Sequence, residues 1–168
     1  YGAEELQLPL TGPFSSLGPF TFGPWYYYQL IFFERLTLFS FSPWIYLAIA
    51  STFFVIVMYY LGKKLFDANF GLIVALLVAV SGPQISASKG LTNPNLIPVY
   101  AGLSLLLFQK LFNADKISSR WGFLFGLILG TGMNIHYQML NFLTFIKYSA
   151  GLIWSDALAL SKYPLLII

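Results

Sequence analysis

The residues with the clearest chemical potential form a short polar group late in the chain. His136 is the single histidine of the 168 residues, and Tyr137 and Gln138 follow it directly. A neutral imidazole offers one donor and one acceptor, so His136 can contact a phosphate or a sugar hydroxyl, supported by its two neighbours. The alternative is a structural role, in which the imidazole sits at a helix corner and hydrogen-bonds to a neighbouring carbonyl.

Metal and redox chemistry have little support in the residue types. The chain has no cysteine, and a metal site built on one histidine alone is disfavoured. We therefore expect no cofactor and no metal site, and the sequence leaves the use of a divalent cation open. The formal net charge of +3 is small, and we expect no nucleic-acid partner.

A second candidate group lies in a polar stretch between two apolar runs. Asn93 and Asn95 flank a proline just before an apolar segment, which predicts a helix cap because asparagine is favoured at that position. The functional alternative is that both amides face a cavity and hold sugar hydroxyls. Lys89, four residues earlier in sequence than Asn93, is either a phosphate contact or a solvated loop lysine.

The third group is aromatic and belongs to a loop rich in Gly-Pro pairs near the N-terminus. Residues 12–28 contain three such pairs and end in Trp25 and three tyrosines, of which Tyr27 and Tyr28 are the last two. Gly-Pro pairs interrupt helices and strands, and tryptophan and tyrosine favour the membrane–water boundary. These rings either anchor the chain at the interface or form a wall against which a ligand packs.

The elements that must position these groups are membrane helices. The chain is 58% hydrophobic and 9% charged, far from the roughly 25% charged residues of soluble domains. We predict an all-α, polytopic membrane helical bundle with an external loop and interfacial helix over residues 1–42. The remaining predicted elements are a polar loop at 82–95, a truncated helix starting at 164–168, and membrane helices at 43–61, 67–82, 95–112, 120–135 and 138–154.

The positions of the lysines predict which way the helices run. Short loops rich in lysine and arginine stay in the cytoplasm, which places Lys63 and Lys64 inside. Residues 25–41 are short for a crossing and contain Glu34 and Arg35, so we expect them to lie on the outer interface. The three candidate groups then share the external face of a multi-pass protein, which we assign to a bacterial plasma membrane.

Five pieces of sequence, in one order, resemble a known enzyme group. They are Leu10–Gly18, Phe22–Tyr28, Tyr60–Phe66, Thr92–Pro98 and Asn134–Tyr137. Their order resembles the N-terminal half of the polytopic GT-C glycosyltransferases, especially the group of dolichyl-phosphate-mannose protein mannosyltransferases and lipid A aminoarabinose transferases. The resemblance covers about residues 8–150.

This resemblance implies a membrane enzyme that moves a sugar from a polyprenyl-phosphate donor to an acceptor on the external face. It also implies a catalytic aspartate in the first external loop. Glu4 and Glu5 do not lie in the corresponding motif, so the aspartate is expected upstream of Tyr1. We therefore expect a fragment that is inactive alone, with membrane lipid and the lipid-linked donor as its partners.

Two other classes of protein remain alternatives. Broken helices with polar residues suit a transporter or flippase subunit for a lipid-linked precursor, and residues 130–138 fit that description. The chain could also be a non-catalytic membrane scaffold. Against transport, the two halves share no repeated pattern and the polar positions cluster at one predicted face.

Overall fold

The computed structural model describes residues 8–15, 18–112, 119–141, 144, 147 and 148. These ranges contain helices and no β-strand; the N-terminal loop has one isolated antiparallel bridge between Phe14 and Thr21. The predicted all-α class is therefore confirmed. The helices in chain order are α1 (Trp25–Thr37), α2 (Ser42–Leu65), α3 (Ala68–Ala79), α4 (Gly82–Ala87), a 3-10 turn (Asn93–Leu96), α5 (Ile97–Phe112) and α6 (Ser119–Ile135).

Two helical segments of the described chain are long and apolar enough to cross a membrane. Helix α2 has 24 residues, about 36 Å at 1.5 Å per residue, and the continuous segment Asn93–Phe112 has 20 residues, about 30 Å. Pro43 lies in the first turn of α2, where its missing N–H costs nothing. Lys63 and Lys64 lie in the last turn, where positive charge favours the helix dipole.

Helices α2 and α3 form a tightly packed hairpin. The Asp67 carboxylate caps α3 by accepting a hydrogen bond of 2.8 Å from the backbone N–H of Phe70. Gly71 permits a backbone-to-backbone approach, because a Cβ there would stand 2.6 Å from the Tyr59 carbonyl oxygen. Helix α3 is shorter than the predicted 67–82, since it ends at Ala79 before Gly82 and Pro83.

The stretch predicted as a polar loop at 82–95 contains regular structure. Pro83 lies in the first turn of the six-residue α4, and Pro94 lies in the first turn of the 3-10 turn. The proline ring fixes φ near its helical value at such positions, which explains why this stretch forms two short helical segments. The predicted loop was wrong in this respect.

Helices α5 and α6 run antiparallel, and α5 also packs against α2. The Phe108 and Phe125 rings lie 6.3 Å apart near one end of the pair. Near the other end, a Cβ on Gly132 would stand 3.1 Å from the Tyr100 Cβ. A Cβ on Gly102 would stand 3.0 Å from the Phe54 side chain of α2, so small residues let these helices approach closely.

The bundle therefore has two chemically distinct ends. Lys63, Lys64, Lys110 and Arg120 lie at the end where α2 and α5 finish and α6 begins. The N-terminal loop, the 3-10 turn and the end of α6 meet at the opposite end. Directly beneath that meeting point lies the core cluster of Tyr26, Leu47, Leu96, Ile97, Leu129, Ile135 and Met139.

Helix α1 packs along this second end. Its 13 residues span about 20 Å, too little to cross a bilayer. Its C-cap is Leu38, which adopts a left-handed backbone conformation with φ of 57°. The large apolar side chains of Phe32, Leu36 and Phe39 remain exposed at or just after α1. These dimensions fit the predicted interfacial element.

Candidate functional site

His136 lies where α6 stops. Its backbone N–H still bonds to the Gly132 carbonyl (3.1 Å), but α6 ends at Ile135, and the chain is helical again from Gln138. The sequence predicts a helix break at this position. The predicted second helix, 138–154, lies largely outside the described residues.

The imidazole of His136 is held by rings and by one backbone donor. It stacks on Phe22 at a centroid distance of 4.7 Å and lies tilted against the Tyr137 ring at 4.3 Å. The Nδ1 atom accepts a hydrogen bond of 3.2 Å from the backbone N–H of Gln138. The structural alternative considered from the sequence was a hydrogen bond from the imidazole to a neighbouring carbonyl. The observed bond instead has Nδ1 as the acceptor of a backbone N–H. A neutral ring with Nδ1 as acceptor carries its proton on Nε2, which leaves an N–H donor for a ligand.

Partial burial lowers the pKa of His136 below its ordinary value. The ring is therefore neutral at pH 7. A neutral ring keeps Nδ1 available as the acceptor of the Gln138 N–H, so burial and hydrogen bonding favour the same protonation state.

The N-terminal loop is clamped onto the end of α6 through Asn134. The backbone N–H of Gly23 donates to the Asn134 carbonyl (2.9 Å), and the backbone N–H of Trp25 donates to the Asn134 side-chain oxygen (3.0 Å). A Cβ on Gly23 would stand 2.0 Å from the Asn134 amide. Glycine is therefore required at position 23 for this approach, a reason beyond the loop-breaking role expected from sequence.

The two asparagines of the 3-10 turn serve structural bonds. Asn93 is buried, and its amide donates 2.8 Å to the carbonyl of Ile135, the last residue of α6. Asn95 donates 2.7 Å to the Gly90 carbonyl. The predicted side-chain cap is wrong, since neither amide bonds to the first turn of α5. A helix C-terminus leaves carbonyls without intrahelical partners, and Asn93 satisfies one of them.

The other predicted site residues differ in their contacts. Tyr28 donates its hydroxyl to the Pro9 carbonyl (2.8 Å), and the partly buried Tyr27 packs its ring against Tyr26 at 5.7 Å. Gln138 is exposed beside His136.

Lys89 is exposed after α4, and its side chain makes no hydrogen bond or ion pair in the part of the chain that is described. The structure thus brings the aromatic loop, Asn93 and His136 together, and leaves Lys89 without a contact to them.

Sequence reasoning missed a hydrogen-bond network that fixes α1. The Trp25 indole donates 2.9 Å to the Tyr100 hydroxyl, which donates 3.0 Å to the Gln29 side-chain oxygen. Tyr46 donates to the same oxygen, and the Gln29 amide donates 3.1 Å to the Trp25 carbonyl. This Gln29 network joins α1 to α2 and α5. The feature of the sequence that could have revealed this network is Gln29 itself, a glutamine within an apolar segment. Burying its side-chain amide there without a hydrogen-bond partner would be unfavourable.

A cleft of about 320 Å³ opens between α1 and α6 beside this polar end. Its walls are Pro24, Trp25, Tyr28, Gly126, Leu127, Gly130, Thr131 and Asn134. The walls are mainly apolar, and the Asn134 amide supplies a polar edge. Such a lining suits the face of a sugar ring or an apolar chain, which is the second role considered for the tyrosines.

Within the described ranges, no three side chains of the His, Cys, Asp and Glu types come together as a metal site would need. The candidate site is therefore built from one imidazole, amides and aromatic rings.

An all-α bundle with two helical segments long and apolar enough to cross a membrane, and with polar residues gathered at one end, is typical of membrane proteins. Residues 23–168 match the family model described as dolichyl-phosphate-mannose-protein mannosyltransferase. The chain belongs to this family of integral membrane glycosyltransferases, which confirms the resemblance to the GT-C group. No curated protein and no solved structure matched the chain.

Proposed function

We propose that this chain transfers a sugar from a polyprenyl-phosphate donor to an acceptor, at the bundle end that carries His136. The observation on which this rests is the convergence of the N-terminal loop, Asn134 and His136 at that end, through two hydrogen bonds of 2.9 and 3.0 Å and a ring contact of 4.7 Å. Family membership supplies the reaction class.

The proposed sidedness follows from the charges at the other end. Lys63, Lys64, Lys110 and Arg120 are exposed there. Basic residues near the ends of membrane helices favour the cytoplasm. The His136 end would then face the external compartment, where a lipid-linked sugar presents its phosphate at the bilayer surface.

Each site residue has a proposed role in this reaction. The Nε2–H of His136 donates to an oxygen of the carrier phosphate, whose negative charge grows as the sugar leaves. The exposed Lys89, which does not contact His136, is proposed to act on the phosphate only through its positive charge. Gln138, with Tyr137, contacts sugar hydroxyls, as does the side-chain oxygen of Asn95. Trp25, Tyr27 and Tyr28 form the wall along which the sugar or isoprenoid packs.

The base that activates the acceptor is proposed to lie outside these residues. Among described carboxylates, Asp67 caps α3 at the lysine-rich end, and Glu34 is in the third turn of α1, about 13 Å along the helix from Trp25. Neither contacts His136. We therefore propose that activity requires a carboxylate from outside the described residues.

The test is sugar transfer from a radiolabelled polyprenyl-phosphate sugar, using the full-length protein in membranes. Removing a donor that stabilises developing charge costs on the order of 100-fold in rate, so His136→Ala should lower kcat/KM by about that factor. Lys89→Ala should lower it by about tenfold, while Lys64→Ala, an exposed lysine at the opposite end, serves as the matched control.

Two results would contradict the proposal. Absence of transfer by the wild-type protein, with donors carrying several different sugars, would remove the activity itself. Equal rates for wild type, His136→Ala and Lys89→Ala would remove the site and leave the reaction class in place.

A further inference from the structure

Two neighbouring crevices lie beside α4, away from the His136 site, and they differ in chemistry. The first, the polar crevice, has a volume of about 350 Å³ between α2 and α4 and includes Ser51, Thr52, Gln84 and Ser88 in its lining. The second, the apolar crevice, has a volume of about 530 Å³ and is lined largely by Phe54, Val74, Leu77, Val78 and Pro98. Gln84 lines both crevices.

The polar crevice has hydrogen-bonding capacity that the protein does not use. Thr52 and Ser88 donate their hydroxyls to the Ala48 and Ile85 carbonyls (2.9 and 2.8 Å), so their oxygens remain acceptors. The Ser51 hydroxyl lines this crevice, and in the described part of the chain the buried Gln84 amide nitrogen has no hydrogen-bond partner. A buried donor without a partner costs about 1–3 kcal/mol. An occupant with acceptor oxygens would remove that cost.

The Gln84 amide can serve an occupant on either side. The buried nitrogen and the oxygen of an amide exchange places by rotation about the last side-chain torsion, which is broad and soft. Such a rotation would present the amide nitrogen to the polar crevice. Gln84 is therefore the residue on which occupancy should depend most.

The absence of charge narrows the class of occupant. No charged side chain is among the described residues that line either crevice. Ser51 and Thr52 lie within α2, which is long and apolar enough to cross a membrane, so we infer that the polar crevice opens toward the lipid. Water alone would satisfy the polar crevice and leave the apolar one unfilled. An amphiphile fits both, with an uncharged oxygen-bearing head and a hydrocarbon chain.

We propose that the two crevices form a binding site for an uncharged lipid alcohol. The hydroxyl and ester oxygens of the head bind Ser51 and Gln84, and the chain lies along Phe54, Val74 and Leu77. This site is separate from the sugar-transfer site, and its test does not depend on transfer activity.

The test is photo-crosslinking of the full-length protein in nanodiscs with a diazirine-bearing diacylglycerol. Labelled peptides should map to α2 and α4. Unlabelled diacylglycerol should compete for this labelling, and phosphatidylglycerol with the same acyl chains should not, because its anionic head finds no cation in the crevice. Gln84→Leu should lower labelling about fivefold, the effect of one lost hydrogen bond.

The matched control is Gln109→Leu. Gln109 also has a buried amide atom without a partner, but it lines neither crevice. If Gln84→Leu lowers the Tm, Ser51→Ala provides the second variant, with an expected reduction of two- to fivefold. Labelling of α2 and α4 that is unchanged in both variants, or equal competition by phosphatidylglycerol, would overturn the proposal.

Discussion

His136 shows how a single residue connects the local backbone to a chemical role. Its Nδ1 accepts from the Gln138 N–H, and its ring is stacked on Phe22. The same contacts that fix the ring also fix its tautomer, with the proton on Nε2. A hydrogen bond to a carbonyl would have used this donor, so the observed arrangement favours a ligand contact.

The lowered pKa of His136 predicts a pH dependence of stability. Because burial holds the pKa in the folded protein below the unfolded value of about 6.5, protonation favours the unfolded state. The stabilisation should be complete above about pH 6.5 and decline as the pH falls through the folded-state pKa. Thermal unfolding from pH 7.5 to 5 should show Tm falling faster for wild type than for His136→Phe. Parallel curves for the two proteins would contradict this expectation.

The close approach of Gly23 to Asn134 predicts that a larger residue at position 23 destabilises the attachment of the N-terminal loop to α6. The methyl group of Gly23→Ala would overlap the Asn134 amide, so the loop must move, at a cost of about 1–3 kcal/mol. Gly122→Ala is the matched control, because a Cβ there meets nothing within 4 Å and alanine favours a helix. Thermal unfolding in detergent should show a lower Tm for Gly23→Ala and an equal or higher Tm for Gly122→Ala. The reverse order would contradict the clamp.

At the scale of elements, α1 is held in place by polar bonds as much as by apolar packing. The Gln29 network ties it to α2 and α5, and Asn134 ties its first residue to α6. In a lipid environment these polar groups have few alternative partners, so the bonds favour one position of the helix.

Tyr100→Phe should loosen α1. The change removes the acceptor of the Trp25 indole and the donor to Gln29, and we expect a loss of about 1–3 kcal/mol. Hydrogen exchange should become faster at the backbone amides of α1, with little change in α3. Tyr60→Phe, at an exposed position of α2, is the control and should stay within about 0.5 kcal/mol of wild type. Unchanged exchange in Tyr100→Phe would show that packing alone holds α1.

The sequence predicts those elements whose signal is local. The uncharged run after Pro43 predicts α2, and the polar group at Asn134–Gln138 predicts the end of α6. The bond from Asn93 to Ile135 joins residues 42 apart, and the bond from Tyr100 to Gln29 joins residues 71 apart. Such pairs depend on how the helices pack, so the network was missed and Asn93 was assigned to a local cap. The helical turns within 82–94 were missed because this stretch was interpreted as a polar loop leading to the cap of the next helix.

At the scale of the whole molecule, orientation in the membrane is the property that most of the proposed function requires. Residues 1–168 contain no cysteine, so a cysteine introduced there is the single labelling site within this stretch. A membrane-impermeant maleimide should label Gln138→Cys and Lys89→Cys in intact bacterial spheroplasts. Lys64→Cys should be labelled only after permeabilisation, because it lies at the opposite end of the bundle. Labelling of Lys64→Cys in intact spheroplasts would reverse the orientation.

The unequal lengths of α2 and α3 have a consequence for the surrounding lipid. Helix α3 has 12 residues, about 18 Å, while its hairpin partner α2 reaches about 36 Å. On the α3 side, the surrounding acyl chains meet an apolar surface only about half as tall as the one on the α2 side. Hydrophobic mismatch of this kind is relieved by local thinning of the bilayer. We therefore expect short-chain lipids to be enriched beside α3, and the lipid headgroups on that side to lie closer to α4 than they would in an undisturbed bilayer.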